Sequence, residues 1–157
     1  MTKPNPRNPT NVVTLLKRDH AEVKALFEEF ASETRQSNKS EIANRICNAL
    51  TVHATCEEEI VYPAAREALD DDDMIDEAEQ EHAAAKDLIA EIETMDVDDG
   101  AFDATVTALK ECIEHHVAEE EGDMFPKLQA TKLDLDELGS RVATRKGELL
   151  EVAGETQ

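Results

Sequence analysis

The 157-residue sequence is poor in residues that interrupt regular structure, with only five glycines and five prolines. Three of the prolines fall within the first nine residues, so long stretches of the remaining chain contain no helix breaker. Aromatic residues make up 3% of the chain, and tryptophan is absent. This composition is typical of an all-helical protein. The proline-containing segment 1–10 is expected to be a flexible arm.

Basic residues are also scarce, since 16 lysines and arginines face 37 acidic residues and give a net charge of −21. This charge argues against nucleic acid and anionic lipid as partners. No apolar run is long enough for a signal peptide or a membrane span. The three cysteines are odd in number and match no zinc-ribbon spacing, so free thiols and a cytoplasmic location are expected.

Apolar residues recur at helical spacing in four long segments, near residues 11–34, 41–69, 73–95 and 101–128. Thr10 or Asn11 can cap the first helix. Residues 37–40 are expected to form a loop in which Ser40 caps the second helix. Pro63 predicts a kink or a tightened turn. After Asp134, a shorter amphipathic segment is expected, interrupted by two glycines, Gly139 and Gly147.

The most informative feature is a metal-ligand pattern that occurs twice. The first copy joins Asp19-His20 to His53-x-x-x-Glu57 and ends with Tyr62-Pro63, and the second joins Glu81-His82 to His116-x-x-x-Glu120 and ends with Phe125-Pro126. An offset of 63 residues places His116 on His53 and Glu120 on Glu57. Four of the five histidines belong to this pattern, and the fifth, His115, is expected to face solvent.

These histidines and glutamates replace hydrophobic residues in the middle of the apolar helix stripes, so they point into the core. An unpaired glutamate there would cost several kcal/mol. Imidazole and carboxylate suit borderline transition metals, and two facing sets suit a pair of irons. The predicted metal ligands are His20, His53, Glu57, His82, His116 and Glu120.

Other interpretations account for less of the pattern. A lone buried histidine is more often held by hydrogen bonds than by a metal, but the repetition favours ligands. Ferritin-like di-iron proteins use Glu-x-x-His twice, which occurs here only once, at Glu79–His82. The zinc-peptidase pattern His-Glu-x-x-His is absent. Four neighbouring carboxylates compete as ligands without sharing both the spacing and the duplication: Glu58, Glu59, Glu119 and Glu121.

On these motifs the chain resembles the hemerythrin-like proteins with the His-His-Glu (HHE) cation-binding domain, over about residues 12–128. The resemblance implies an up-down-up-down four-helix bundle, here with an additional short C-terminal helix. It implies two non-haem iron ions with an oxo or hydroxo bridge. His20 and His53 would bind one iron, His82 and His116 the other, and Glu57 and Glu120 would bridge them. The expected organisation is the arm 1–10, a bundle 11–130 with repeats 12–66 and 75–128, and a C-terminal helix and tail 131–157.

The sequence departs from the oxygen-carrying hemerythrins at Lys86, where the third helix of those proteins carries a second histidine. Water, another carboxylate or a phenolate such as that of Tyr62 could take the missing place. Lys24 and Lys86 could instead pair with the bridging carboxylates, or extend into solvent.

The expected function is therefore a hemerythrin-like di-iron protein that binds O2 or a related small oxidant, or senses iron or redox state in a stress response. Its partner would be a small diatomic or peroxide ligand, and binding is favoured over turnover. One alternative is a di-iron enzyme with peroxidase, catalase-like or nitric-oxide-handling activity. The other is a metal-free interaction module.

Overall fold

The structure, a computed structural model, describes residues 11–155, and all regular structure within this range is helical. The arm expected at residues 1–10 lies outside the described residues. These described residues form seven α-helices: α1 (Val12–Ser32), α2 (Gln36–Cys56), α3 (Tyr62–Leu69), α4 (Asp72–Thr94), α5 (Phe102–Glu119), α6 (Phe125–Gln129) and α7 (Leu135–Glu155). Two π-helical turns, Glu57–Val61 and Glu120–Met124, join α2 to α3 and α5 to α6.

The four long helical rods are therefore α1, α2 with α3, α4, and α5 with α6. Helices α1 and α2 pack together, α2 contacts α4, and α4 packs on α5. Short connections between consecutive rods make neighbours antiparallel. The predicted all-α, up-down-up-down bundle is confirmed. Across residues 11–155, no helix combines the length and the apolar character that crossing a membrane requires.

Helix α1 begins where it was predicted to begin, whereas α2 begins earlier than predicted. Asn11 caps α1 as expected, because its Oδ1 accepts hydrogen bonds from the amides of Val13 and Thr14 at 3.0 and 3.3 Å. The loop expected at residues 37–40, with Ser40 as a cap, is wrong, since α2 already begins at Gln36. The link between α1 and α2 is short, and within it the Glu33 carboxylate accepts hydrogen bonds from the next two backbone amides, both at 3.0 Å. Polar residues then occupy the first turns of the helix.

Pro63 and Pro126, which occupy equivalent positions in the two repeats, each follow a widened helical turn. A kink or a tightened turn was expected at Pro63. The amide of Tyr62 donates to the carbonyl of Glu57, and that of Phe125 donates to Glu120, each five residues back. A proline removes an amide donor and clashes with the carbonyl four residues before it. An extra residue in the turn relieves that clash. Such single π-turns often lie at functional sites, and here each one starts at a predicted bridging glutamate.

Helix α7 is longer and more regular than predicted. The additional C-terminal helix is confirmed, but it runs for 21 residues without the interruptions expected at Gly139 and Gly147. The Asp134 carboxylate caps it by accepting the amide of Glu137 at 3.0 Å. The helix packs on α1 and α2 and buries Leu138 and Val142. This packing offsets the cost of about 1 kcal/mol that a glycine carries inside a helix.

The core consists of two apolar clusters with a polar layer between them. Leu16, Ile75 and Phe125 belong to the first cluster, which also takes residues from α7. Phe27 and Leu109 belong to the second. The six predicted ligands lie in the layer between. All three cysteines are free, as expected, and Cys47 and Cys56 are buried.

A matched pair of substitutions tests whether α7 is an integral part of the bundle. Leu138 is 5% exposed and Leu150 is 48% exposed on the same helix. Leu138→Ala is expected to lower the free energy of unfolding by about 2–5 kcal/mol, because it leaves a cavity against the bundle. Leu150→Ala should change it by no more than about 0.5 kcal/mol. Denaturant unfolding measures both, and equal effects would contradict the packing of α7.

Candidate metal centre

The six predicted ligands come together at mid-height in the bundle and form two groups that share their glutamates. The first group is His20, His53, Glu57 and Glu120, and the second is Glu57, His82, His116 and Glu120. Within each group the potential ligand atoms lie within 4.8 Å of one another. None of the six side chains is more than 8% exposed. The arrangement therefore offers two adjacent positions for a cation, joined by two common carboxylates.

The spacing of these atoms matches the shell of a small metal ion. The Nε2 atoms of His20 and His53 each lie 3.2 Å from a glutamate oxygen, on Glu120 and Glu57 respectively. In the second group, His82 Nε2 is 3.1 Å from Glu57 and 3.2 Å from His116 Nε2. Metal–ligand bonds of about 2.0–2.2 Å place adjacent ligand atoms about 2.8–3.6 Å apart. The side chains thus fit a metal without rearrangement.

Among residues 11–155, four buried side-chain atoms at this centre make no hydrogen bond: His20 Nε2, His53 Nε2, Glu57 Oε2 and Glu120 Oε1. All four belong to the first group. The two imidazole nitrogens are near carboxylate oxygens, but their directions do not satisfy a hydrogen bond. An unsatisfied buried polar atom costs about 1–3 kcal/mol, and one cation would satisfy all four. This observation is the strongest structural argument for a metal.

The electrostatics of the layer also call for positive charge. Burial alone would raise the pKa of Glu57, but His53 and hydrogen bonds from the surrounding imidazoles outweigh it and hold that pKa well below the ordinary value. Burial alone would lower the pKa of His53, yet Glu57 and Asp19 raise it to about 10. Burial alone would also lower the pKa of His116, but Glu120 and Glu57 raise that pKa to about 12. On protein groups alone, protons on imidazole balance the carboxylates, and a metal ion could replace them.

Each of the four histidines is oriented by a second carboxylate. The Nδ1 atom of every ring faces one: His20 faces Glu121 at 2.7 Å, His53 faces Asp19 at 2.9 Å, His82 faces Glu58 at 3.0 Å and His116 faces Glu81 at 2.7 Å. A proton on Nδ1 then donates to the carboxylate and leaves the Nε2 lone pair free for a metal. Such outer carboxylates fix the ring and raise its basicity.

This outer ring of carboxylates was not predicted, although the sequence contains a signal for it. In both repeats an acidic residue, Asp19 or Glu81, directly precedes the first histidine. Another, Glu58 or Glu121, directly follows the glutamate of the His-x-x-x-Glu motif. Glu58 and Glu121, considered above as rival ligands, instead bond to the outer nitrogens of histidines.

Two lysines, Lys86 and Lys146, pair with carboxylates of the outer ring and not with the shared glutamates. Lys86 Nζ lies 2.7 Å from Glu58, so of the two alternatives left open for Lys86, pairing with a bridging carboxylate is wrong. Lys24 is exposed, which is the alternative left open for it. A further lysine comes from α7, where Lys146 Nζ lies 2.6 Å from Asp19. The C-terminal helix therefore contacts the centre through the Lys146–Asp19–His53 chain.

Tyr62 occupies the second group more deeply than its sequence position indicated. Its hydroxyl oxygen is within 3.4 Å of four predicted ligand atoms, and donates over the shortest distance, 2.7 Å, to Glu120 Oε2. Burial and the two carboxylates raise the pKa of the phenol far above its ordinary value. In the other repeat the equivalent residue is Phe125, whose ring stacks on His20 at 5.9 Å. The two halves of the centre are therefore not equivalent.

A small cavity adjoins the four histidines on the side away from the π-turns. Its volume is about 30 Å³. Apolar side chains form most of its wall, including Val23, Leu50, Ile89 and Ile113, and Lys86 also lines it. A space of this size holds one water or one diatomic molecule.

Three consecutive glutamates give a graded test of the assignment. Glu57→Gln is expected to abolish tight metal binding, because this buried carboxylate belongs to both groups. Glu58→Gln should weaken binding about 10–100-fold, the usual effect of losing a carboxylate behind a ligand histidine. Glu59→Gln should leave the affinity unchanged, since Glu59 is exposed and pairs with Arg145. Competition with a chelator measures the three affinities, and an effect of Glu59→Gln as large as that of Glu57→Gln would contradict the register.

Comparisons with known proteins agree with this geometry. The sequence model of the hemerythrin HHE cation binding domain matches residues 11–128. A crystal structure of a hemerythrin HHE cation binding domain-containing protein from Mycobacterium kansasii has the same fold, with a TM-score of 0.79 and 23% identity over 91% of this chain and 89% of that one. A protein described as a DNA nickase, from Nostoc sp. strain PCC 7120, is 26% identical over 129 residues. That alignment takes in 82% of this chain but only 36% of the Nostoc protein, so the chain spans about a third of its relative.

Proposed function

The chain belongs to the hemerythrin HHE cation-binding domain family, and from this membership we propose that it is a non-haem di-iron protein that binds O2 or a related small oxidant. The observation that carries the proposal is the pair of ligand groups sharing Glu57 and Glu120. Four buried atoms of the first group lack hydrogen-bond partners among the described residues, which supports a cation there.

The donor set favours iron over other metals. Each position is offered two imidazoles and two shared carboxylates, a mixture of nitrogen and oxygen ligands that suits iron, and four-helix bundles hold iron pairs in this manner. Both ions would share Glu57 and Glu120. Glu120 has Oε1 3.2 Å from His20 and Oε2 3.2 Å from His116. Glu57 has Oε1 within 3.2 Å of both His53 and His82. A pair of irons supplies electrons to a bound oxidant when it is loaded. The protein supplies the ligands, the fixed imidazole orientation and the exclusion of bulk water.

We propose that Tyr62 takes the ligand place that Lys86 leaves empty. Lys86 is 52% exposed at its side chain and its ammonium is bound to Glu58, so it does not serve the centre. The Tyr62 oxygen, in contrast, lies 3.1 Å from His82 Nε2 and 3.2 Å from Glu57 Oε1. A bound cation would favour the phenolate form over the protonated phenol. The second position would then have an oxygen ligand with no counterpart in the first.

The cavity of about 30 Å³ supports a small oxidant as the ligand. It borders His20, His53, His82 and His116, and its apolar wall would admit O2, nitric oxide or peroxide while excluding larger substrates. Turnover of peroxide or nitric oxide is a second candidate function, favoured by the buried Tyr62 hydroxyl. A hydroxyl that is not bound to metal could give a proton to a reduced oxidant at this place.

Metal content tests the first part of the proposal. Reconstitution of the purified chain with ferrous iron is expected to give two iron ions per chain, because the two groups share their carboxylates and fill together. Elemental analysis after removal of loosely bound ions makes the measurement. One ion per chain, or zinc with no iron uptake, would overturn the di-iron assignment, and no tightly bound metal at all would favour an interaction module.

Mixing the reduced, iron-loaded protein with O2, peroxide or nitric oxide separates binding from turnover. A binding or sensing protein should give a stoichiometric spectral change with each oxidant that it recognises. A catalyst should consume the oxidant in large excess over protein when a reductant is supplied. Stopped-flow absorption and product analysis on the same sample distinguish the two outcomes.

Tyr62→Phe tests the proposed phenolate ligand with little change in packing. The iron-loaded wild-type protein should show a visible phenolate-to-iron absorption band, and Tyr62→Phe should lose it while keeping its iron. The repeat provides a matched control, because Phe125→Tyr changes the equivalent position in the other half. An identical visible spectrum in wild type and Tyr62→Phe would show that Tyr62 is not a ligand.

A further inference from the structure

A third group of potential ligands lies on the surface, outside the buried layer. It consists of Glu81 on α4 with His115 and Glu119 on α5. His115 Nε2 lies 3.3 Å from Glu81 Oε2 and 3.1 Å from Glu119 Oε1, and the imidazole is 67% exposed at its side chain. Bonds of about 2.0–2.2 Å to one metal ion would place neighbouring ligand atoms about 2.8–3.6 Å apart. His115 Nε2 therefore has the spacing from each carboxylate oxygen that two ligands of one ion have, and the three residues offer ligand atoms within 4.8 Å of one another.

Glu81 connects this surface group to the buried centre. Its Oε2 faces His115 Nε2, and its Oε1 lies 2.7 Å from Nδ1 of His116. One carboxylate thus bonds a predicted ligand of the centre on one side and a surface histidine on the other. A solvated histidine that paired with acidic neighbours for solubility alone would not require this shared residue.

An acidic pocket leads from the surface group towards the centre. Its volume is about 290 Å³, and its wall includes Glu81, Glu119, Asp73, Glu77 and Asp123. The buried residues His116 and Glu120 line it as well, and one oxygen of Glu120 makes no hydrogen bond among the described residues. No lysine or arginine is among its described lining residues. Lys127 lies near it, 3.6 Å from Asp71 and 3.5 Å from Asp123.

We propose that Glu81, His115 and Glu119 form a surface site for a divalent transition-metal ion, from which the ion passes through the acidic pocket to the buried carboxylates. The imidazole selects a transition metal over Ca²⁺ or Mg²⁺, which prefer oxygen ligands alone. A pocket walled by carboxylates concentrates cations and speeds their arrival. The entry role rests on the proposed function, because it requires that the buried centre bind metal.

Cobalt binding tests the surface site itself. Wild type, His115→Ala, Glu119→Gln and Glu114→Gln are dialysed against Co²⁺ at physiological salt, and the cobalt per chain is measured. Glu114 is the matched control, since it is an exposed glutamate on the same helix that pairs only with Lys110. His115→Ala and Glu119→Gln should each bind one Co²⁺ fewer than wild type and Glu114→Gln. Equal cobalt contents in all four proteins would overturn the site.

Loading kinetics test the entry route. Metal-free protein is mixed with Fe²⁺ in air, and the growth of the iron absorption is followed to its end. His115→Ala and Glu119→Gln should load about tenfold more slowly than wild type and Glu114→Gln, because cation focusing of this kind changes on-rates by ~10–10³. The final absorption of the iron at the buried centre should be unchanged. An unchanged rate, or a lower final absorption, would overturn the route.

The two experiments separate a failure of this inference from a failure of the proposed function. If the wild-type chain takes up no iron at its centre, the proposed function fails and the route fails with it. The difference of one Co²⁺ between wild type and His115→Ala would still decide whether the surface site exists. If iron fills the centre at the same rate in every variant, the proposed function stands and the route is wrong.

Discussion

The structure depends on two carboxylates that are buried at the middle of an apolar core. Glu57 is 0% exposed and Glu120 1%, and an ionised carboxylate in such a place costs several kcal/mol unless it is paired and hydrogen-bonded. The four imidazoles supply the pairing, and each long helix contributes to them. Bundle packing alone would favour leucine at these positions. The apolar clusters above and below the layer therefore stabilise the fold, whereas the layer itself contains the groups that could hold a metal.

Charge alternates in sign from this layer to the surface. On one side the order is Glu57, His53, Asp19 and Lys146, and on another it is Glu57, His82, Glu58 and Lys86. Each group bonds the next, and every bond restricts a side-chain rotation. The rings are thereby held with Nε2 towards the centre before any ligand arrives. Folding already orders the imidazole side chains, so metal binding does not carry the entropic cost of ordering them.

The four helical rods, and the burial of the six candidate ligand residues, could be predicted because both depend on local periodicity. A residue's place on a helix face follows from 3.6 residues per turn, so His53 and Glu57 had to share a face. Repetition then separated the ligands from their neighbours. The start of α2, the widened turns and the continuity of α7 could not be predicted in this way. The position of α7 depends on contacts that the local pattern does not contain, such as Lys146 with Asp19, 127 residues apart, and Arg145 with Glu59, 86 residues apart.

Duplication of the sequence motif has not produced two equal halves. Helix α7 packs on α1 and α2, so Asp19 forms an ion pair with Lys146. Its counterpart Glu81 instead faces the exposed His115. Phe125 covers His20 with an apolar ring, whereas Tyr62 places a hydroxyl against His82. The His82–His116 side thus has a hydroxyl group and borders the acidic pocket, whereas the His20–His53 side has the apolar ring of Phe125. Two ions of one element held here would experience different fields and different ligands, so a small oxidant would meet them as two distinct sites. The single-residue difference between Tyr62 and Phe125 is the part of that asymmetry nearest to the shared carboxylates.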